Sequence, residues 1–177
     1  MNDLVIIQNK QWQLEKIIAY FFIYSFAGWI FEEVLFLVLY QEFVYRGFLY
    51  LPILPIYGFG AAFVSILFPD KDYEILSIAI VGGLLCTFLE YITSIGLEKI
   101  LNVSLWDYSD LKYNVDGRIS LLSSVGFALA CVLVVKVFNP FIEKKLSKIK
   151  NTKIIEGILT FLIIICFIDF AFSLMKF

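Results

Sequence analysis

The chain has 177 residues, of which 61% are hydrophobic and 18% aromatic, and its mean hydropathy is +0.88. Soluble domains are roughly 45–50% apolar, so this composition excludes an ordinary soluble domain and indicates a single integral membrane domain over residues 1–177. The net charge of −2 gives no support for nucleic-acid binding, and the absence of His removes the commonest general base and metal ligand.

Five hydrophobic segments follow one another along the chain, each close to the ~20 residues that cross a bilayer as a helix. The run "PILPIYGFG" opens the second segment with prolines, which suit the first turn of a helix. The N-terminus lacks a basic start and the first apolar run is too long for a signal core, so we expect that run to stay as a membrane anchor. We predict an all-α, polytopic bundle of about five transmembrane helices, at residues 16–40, 52–69, 74–100, 119–139 and 154–175.

Lysines between the segments predict how the chain is oriented in the cell membrane. The loop "EKKLSKIKNTK" carries five lysines, and short loops rich in Lys and Arg stay in the cytoplasm. Residues 140–153 and the N-terminus are therefore predicted to be cytoplasmic, and loops 41–51 and 101–118 extracytoplasmic. The lysine-rich loop can also contact anionic lipid or a cytoplasmic partner.

Carboxylates lie inside the predicted helices, where a charged side chain costs about 2.5–3.5 kcal/mol even on the lenient insertion scale. Glu32 and Glu33 lie in the first segment, Glu90 in the third and Asp169 in the fifth. Such groups normally face the bundle interior or an aqueous cavity. Glu32, Glu90 and Asp169 precede the ends of their segments by similar distances, so we expect them at similar depths in the outer half. The alternative is that they only make interhelical hydrogen bonds.

Arginines and a polar stripe accompany these carboxylates. Arg46 and Arg118 lie in the two predicted outer loops, where a guanidinium can bind a phosphate or carboxylate ligand or pair internally with Glu32 or Glu90. Trp106 and Tyr108 open the second polar loop, either as part of a site or as an interfacial aromatic belt. On the third segment, a spacing of four, three and four residues predicts one polar face that consists of Thr87, Tyr91, Ser94 and Glu98.

Two parts of the chain look alike. Each has a helix with a glutamate, an outer loop with an arginine beside a glycine, and a helix that begins with "GFGAA" or "GFALA". We hypothesise a parallel internal repeat that relates the first two helices to the next two. In transporters, repeats of this kind place the site at the repeat interface.

Four ordered motifs carry a family resemblance: "GWIFE" (Gly28–Glu32), "FVYRGFLYLPILPIYGFGA" (Phe43–Ala61), "EYITSIGLEK" (Glu90–Lys99) and "WDYSDLKYNVDGRISL" (Trp106–Leu121). The chain resembles the bacterial membrane-protein family described as Putative ABC-transporter type IV. It departs from the family pattern at Tyr45, Leu51, Leu105 and Ser120, which lie in or next to the outer loops.

The resemblance adds residues to those that the charges and stripes indicate. The family's motifs mark Trp29, Gly47, Pro55, Gly58 and Gly117 beside the pocket residues proper. The combined candidate pocket for substrate consists of Glu32, Arg46, Tyr57, Glu90, Tyr91, Ser94, Glu98, Trp106, Asp107, Tyr108, Asn114, Arg118 and Asp169. We assign no catalytic residue, and we predict neither a metal site nor a cofactor.

Transport is the function that we expect, partly because of the family name. The chain would be a permease with a charged polar pocket in the outer half of the bundle. It has no Walker A motif, so ATP-driven transport needs a separate cytoplasmic ATPase subunit. Assembly of several copies of the chain into a homo-oligomer is a further alternative. The alternatives are a membrane-embedded enzyme that acts on an outer-leaflet lipid or cell-envelope precursor, and a non-catalytic accessory membrane protein.

Overall fold

The fold is described by a computed structural model that covers residues 2–43, 45, 47–149 and 152–176, with side chains described at 12–43, 45, 47–149 and 153–176. A two-residue hairpin ladder pairs β1 (Asn114–Val115) with β2 (Ile119–Ser120). The prediction of an all-α bundle of about five helices is confirmed. The helices are α1 (Asn2–Tyr40), α2 (Pro55–Leu67), α3 (Ile75–Leu101), α4 (Leu121–Leu146) and α5 (Thr152–Leu174).

Four of these helices contain stretches long and apolar enough to cross a membrane, namely Trp12–Tyr40, Ile75–Leu101, Leu121–Leu146 and Lys153–Leu174. These stretches agree with four of the five predicted segments, although α4 continues beyond the predicted end at residue 139. The chain is a multi-pass membrane protein. The exposed surface of the bundle is accordingly rich in large apolar side chains, as a surface that faces lipid must be.

Helix α2 is shorter than the predicted segment 52–69 because proline bounds it at both ends. Leu54 precedes Pro55 and is extended, and Phe68 precedes Pro69 and is also non-helical. A residue before proline is driven out of the helical region by a steric clash with the proline ring. The remaining 13 residues rise about 20 Å, which is less than the ~30 Å of hydrocarbon in a bilayer.

The start of α2 lies beside the middle of α1 rather than at its end. The amide of Leu54 donates to the carbonyl of Ser25 at 2.9 Å, and Ser25 is near the midpoint of the apolar stretch Trp12–Tyr40. Residues 47–54 therefore return along the C-terminal part of α1 as non-helical backbone, with Leu49 and Ile53 buried in the bundle.

Asp169 of α5 holds this returning segment. One carboxylate oxygen accepts the amide of Tyr50 at 3.1 Å and the other accepts the amide of Leu51 at 3.0 Å. Asp169 is buried. Backbone N–H groups away from water need hydrogen-bond partners. Asp169 supplies them, which explains why an acid is found within an apolar helix.

Helix α4 also begins beside the interior of its neighbour. The hydroxyl of Ser123, in the first turn of α4, lies 3.2 Å from a carboxylate oxygen of Glu90 on α3. The remainder of α3, from Glu90 to Leu101, rises about 16 Å and packs against segment 102–120. The two halves thus share a long helix, a non-helical segment and a second helix that starts partway along the first, although the internal repeat itself stays a hypothesis.

We call the end formed by segments 41–54 and 102–120 the loop end, and the end formed by residues 68–74 and 140–149 the lysine end. Between them, a core of Val64, Phe68, Ile78, Cys131 and Val135 joins α2, α3 and α4. At the lysine end, the ammonium of Lys136 donates to the carbonyl oxygens of Lys71 and Tyr73 and holds the turn that precedes α3.

Replacing Asp169 should weaken the fold at the loop end. Asp169→Asn keeps the shape but turns one of the two acceptors into a donor that faces an amide, so we expect the free energy of unfolding to fall by about 1–3 kcal/mol. Reversible unfolding in mixed detergent micelles measures this change. Asp110→Asn, at an exposed loop position, is the matched control, and equal stability of the two variants would contradict the role given to Asp169.

Candidate functional site

Glu90 is the most deeply buried carboxylate of the candidate pocket, at 3% exposure. Its Oε1 accepts the hydroxyl of Tyr108 at 2.8 Å, and its Oε2 lies 3.2 Å from the hydroxyl of Ser123. Tyr108 comes from segment 102–120 and Ser123 from α4, so one carboxylate of α3 joins three parts of the chain.

Glu32 has a comparable partner on α2. Its Oε1 accepts the hydroxyl of Tyr57 at 2.5 Å. The Tyr57 ring lies directly on Gly28, where a Cβ would come within 2.4 Å of the ring. The glycine one turn before Glu32 therefore provides the space that lets Tyr57 reach the carboxylate.

Both carboxylates act on Tyr108. Burial raises the pKa of the Tyr108 hydroxyl above its usual range, and the charges of Glu90 and then Glu32 raise it further. Tyr108 therefore stays protonated and donates to Glu90. The charges of Glu32 and Glu90, which belong to separate helices, thus both act on the Tyr108 hydroxyl.

Arg118 binds α3 beyond Glu90, towards the C-terminal end of that helix. Its guanidinium forms an ion pair with Glu98 and donates to the hydroxyl of Ser94 at 3.1 Å. The backbone carbonyl of Arg118 accepts the indole N–H of Trp106 at 2.9 Å. Arg118 thus pairs with neither Glu32 nor Glu90, the partners considered from sequence, and binds Glu98 on the polar face of α3 instead.

Segment 102–120 is a folded element rather than an irregular loop. Asp116 and Gly117 both have positive φ, and the amide of Arg118 donates to the carbonyl of Val115 at 2.9 Å to close the turn. The Asn114 side chain accepts the amide of Gly117 at 2.9 Å and donates to the carbonyl of Leu111 at 2.6 Å. Asn114 therefore stabilises the turn that positions Tyr108 and Arg118.

Tyr91 and Asp107 lie at the surface of this element. The Tyr91 hydroxyl is 3.4 Å from a carboxylate oxygen of Asp116. Asp107 is exposed and accepts both the hydroxyl and the amide of Ser109, which hold the pKa of its carboxyl below the usual range. These two residues border the group around Glu90 without bonding to it.

Arg46 and Asp169 are the last two candidate pocket residues. Arg46 is outside the described residues. Asp169 binds segment 47–54 and acts on Tyr45, whose pKa is raised by burial and then by the charges of Asp169 and Glu33. Glu32 thus binds the hydroxyl of Tyr57, whereas the charge of the adjacent Glu33 acts on Tyr45.

A second polar network, which the sequence analysis missed, lies at the lysine end. Lys16 pairs with Glu143 at 2.8 Å, and the Tyr20 hydroxyl donates to the same carboxylate oxygen at 3.0 Å. Tyr24 donates to Asn139 at 2.8 Å, and Asn139 donates to Ser65 at 2.8 Å. The spacing of four residues from Lys16 to Tyr20 to Tyr24 is a signal that could have revealed it.

The cavities of the bundle lie beside this second network. One of about 540 Å³ and one of about 220 Å³ share Lys16, Pro69, Asn139 and Glu143 among their linings. In the described part of the chain, these two openings are thus at the lysine end, whereas the side chains around Glu90 at the loop end bond to one another.

Replacing Gly117 should loosen the element that carries Tyr108. An alanine Cβ would lie 2.5 Å from the Ser109 hydroxyl oxygen and 2.6 Å from Asp107 Oδ1, at a φ of +67°. Left-handed backbone alone costs an L-residue about 1–2 kcal/mol, so Gly117→Ala should lower stability by at least that amount and speed proteolysis within 102–120. Gly126→Ala is the control, because its Cβ meets nothing within 4 Å. Equal behaviour of the two variants would contradict this account.

Comparison with known proteins agrees with the sequence motifs. The family model described as Putative ABC-transporter type IV matches residues 19–174, which include helices α2 to α5 and most of the apolar part of α1. No curated protein and no solved structure matches the chain. The chain belongs to the Putative ABC-transporter type IV family.

Proposed function

We propose that this member of an ABC-transporter family is the permease component of a transporter, and that Glu32 and Glu90 line its substrate path. The observation that carries the proposal is that Glu32 and Glu90, on separate membrane helices, are each bound by a tyrosine hydroxyl from another part of the chain. Ionisable groups within membrane segments mark substrate and ion pathways far more often than packing contacts.

The partners of these carboxylates support a path that can open. Glu32 and Glu90 are bound by the hydroxyls of Tyr57 and Tyr108, and each hydroxyl can be replaced by a donor group of a substrate without exposing backbone. Tyr57 also lies in the first turns of α2, where the positive end of the helix dipole favours a nearby negative charge. The exchangeable tyrosine hydroxyls suit a substrate with hydrogen-bond-donating groups, and the helix dipole favours the negative charge of the carboxylate that would accept them.

Buried polar atoms along the helices also support the proposal. Within the described residues, several of these atoms have no hydrogen-bond partner, and each costs about 1–3 kcal/mol unless water or a solute satisfies it. Two of them lie near the carboxylates in sequence, on α1 and α3. The atoms are Ser25 Oγ, Trp29 Nε1, Thr87 Oγ1 and Ser173 Oγ.

ATP-driven transport by this chain requires a second subunit. The sequence lacks a Walker A motif, and the lysine end offers the surface where a cytoplasmic ATPase would bind. On the predicted orientation, the C-terminal part of α4 and the lysine-rich residues that follow it lie on the cytoplasmic side there. An ATPase that purifies with the tagged chain in stoichiometric amount would supply the energy source.

Transport is tested directly in proteoliposomes. Vesicles with the wild-type chain are incubated with a carbon-13-labelled extract of small molecules, with and without ATP and any co-purifying subunit. Mass spectrometry then identifies the solutes that enter. We expect Glu90→Gln and Arg118→Ala to reduce uptake at least tenfold at normal expression, because they remove the charge at the path and the ion pair that frames it.

The control for this experiment is Glu42→Gln, an exposed acid at the loop end, which should transport like the wild type. Identical solute content in wild-type, Glu90→Gln and empty vesicles would refute the proposal. Turnover of a lipid by the purified chain, lost in Glu90→Gln, would instead establish the enzyme alternative.

The proposed orientation places the loop end outside the cell membrane. In a chain whose three cysteines are replaced, Lys112→Cys should react in whole cells with a membrane-impermeant maleimide. Ser147→Cys, at the lysine end, should react only after the membrane is permeabilised. Both positions are exposed, so accessibility within the protein does not decide the result. The reverse pattern would place segment 102–120 in the cytoplasm.

A further inference from the structure

We infer that the cavity at the lysine end is a binding site for a small zwitterion that carries a primary ammonium and an anionic group. The recess holds about 540 Å³, within the usual range of ~300–1,000 Å³ for small-molecule sites. It lies at the opposite end of the bundle from Glu90. The inference does not depend on the transport proposal, because it concerns binding at residues that the proposed path does not use.

The deep wall of the recess is a charged pair with unused bonding capacity. Glu143 Oε1 accepts both Lys16 and Tyr20, and among the described residues no hydrogen bond reaches its Oε2. An ammonium group carries three donors, of which Lys16 uses one on Glu143. The Lys16 side chain is only 13% exposed while that of Glu143 is 42% exposed, so the carboxylate opens into the recess.

The surrounding hydrogen bonds fix this wall in place. Tyr20 is 1% exposed and Asn139 is 7% exposed, and Asn139 is bonded on both sides, by Tyr24 and to Ser65. A site built on side chains that are already held needs little ordering when a ligand binds. The pair Lys16–Glu143 is therefore presented in one geometry to whatever enters.

The charges that line the recess select the class of ligand. They balance, with three cationic and three anionic side chains: Lys16, Lys71, Lys144, Asp70, Asp72 and Glu143. A simple anion would be repelled by the three acids, and a simple cation would be repelled by the three lysines. A zwitterion can bind its ammonium to Glu143 and its anionic group to Lys16 and so satisfies both.

Two sources offer this chemistry at a membrane surface. A free solute such as a phosphorylated amino alcohol has both groups, and so does the headgroup of phosphatidylethanolamine. The recess lies where the apolar surface of the bundle meets the polar turn Pro69–Asp72, which either source can reach. The shared feature is a primary ammonium a few atoms from an anion.

The test titrates O-phosphoethanolamine into the full chain in phosphatidylglycerol nanodiscs and follows tryptophan fluorescence, because Trp12 lines the recess. We expect saturable binding, loss of the signal in Trp12→Phe, and a Kd at least about tenfold higher in Glu143→Gln, which removes one charge-assisted bond. Ethanolamine and inorganic phosphate should each bind at least about tenfold more weakly. Glu42→Gln, at the loop end, should bind like the wild type.

Replacing half of the lipid with phosphatidylethanolamine separates the two sources. A raised apparent Kd for the free probe, with phosphatidylethanolamine retained by the wild type but not by Glu143→Gln in native mass spectrometry, assigns the site to the lipid headgroup. An unchanged Kd assigns it to a free zwitterion. The absence of saturable binding together with no retained lipid, or equal affinity in folded Glu143→Gln, overturns the inference.

Discussion

Hydrogen bonding of non-helical backbone inside an apolar bundle is the constraint on which this structure depends. Helix α2 begins beside the middle of α1 and rises only about 20 Å, so residues 47–54 lie along α1 without helical hydrogen bonds. An unpaired amide in hydrocarbon costs several kcal/mol. Asp169 removes two such costs at once, and the turn at Gly117 satisfies the second segment largely from within.

The carboxylates of the bundle differ in what they bind, and this difference supports a structural role for Asp169 and the proposed role in a substrate path for Glu32 and Glu90. Asp169 accepts two backbone amides, which would lose these hydrogen bonds if the carboxylate moved away. Glu32 and Glu90 bind side-chain hydroxyls, which can rotate away and leave the backbone unchanged. An acid in the second position can exchange its partner for a solute, whereas one in the first position cannot without loosening the fold.

Sequence patterns predicted the helices because the length of an apolar run is set by the bilayer, and the four long segments follow this rule. The length of α2 escaped prediction because hydropathy does not register that Leu54 and Phe68 precede prolines. The role of Asp169 was hidden because its partners are backbone amides, which leave no trace in side-chain patterns. The pairing of Arg118 with Glu98 depends on a turn that brings residue 118 back along α3, and charge spacing alone does not specify that path.

The network at the lysine end was missed for another reason. Tyrosine is included among the hydrophobic residues of the composition, so Tyr20 and Tyr24 did not stand out as polar. Glu143 lies in a stretch that the sequence predicts to be a loop. Only the fold joins them, since Lys16 and Glu143 are 127 residues apart in the chain. Polar contacts between distant helices are in general the part of a membrane protein that one sequence specifies least.

The two ends of the bundle differ in a way that bears on transport. Two cavities lie at the lysine end, whereas at the loop end Tyr57 binds Glu32, Tyr108 binds Glu90 and Arg118 pairs with Glu98. Each hydrogen bond to a charged group contributes about 1.5–3 kcal/mol, so opening the loop end costs about 3 kcal/mol or more before any substrate binds. At that cost, the open form is below about 1% of the population. On the transport proposal, a substrate would open this end only if it bound the two carboxylates more tightly than the tyrosine hydroxyls do, by at least the free energy that separates the two forms.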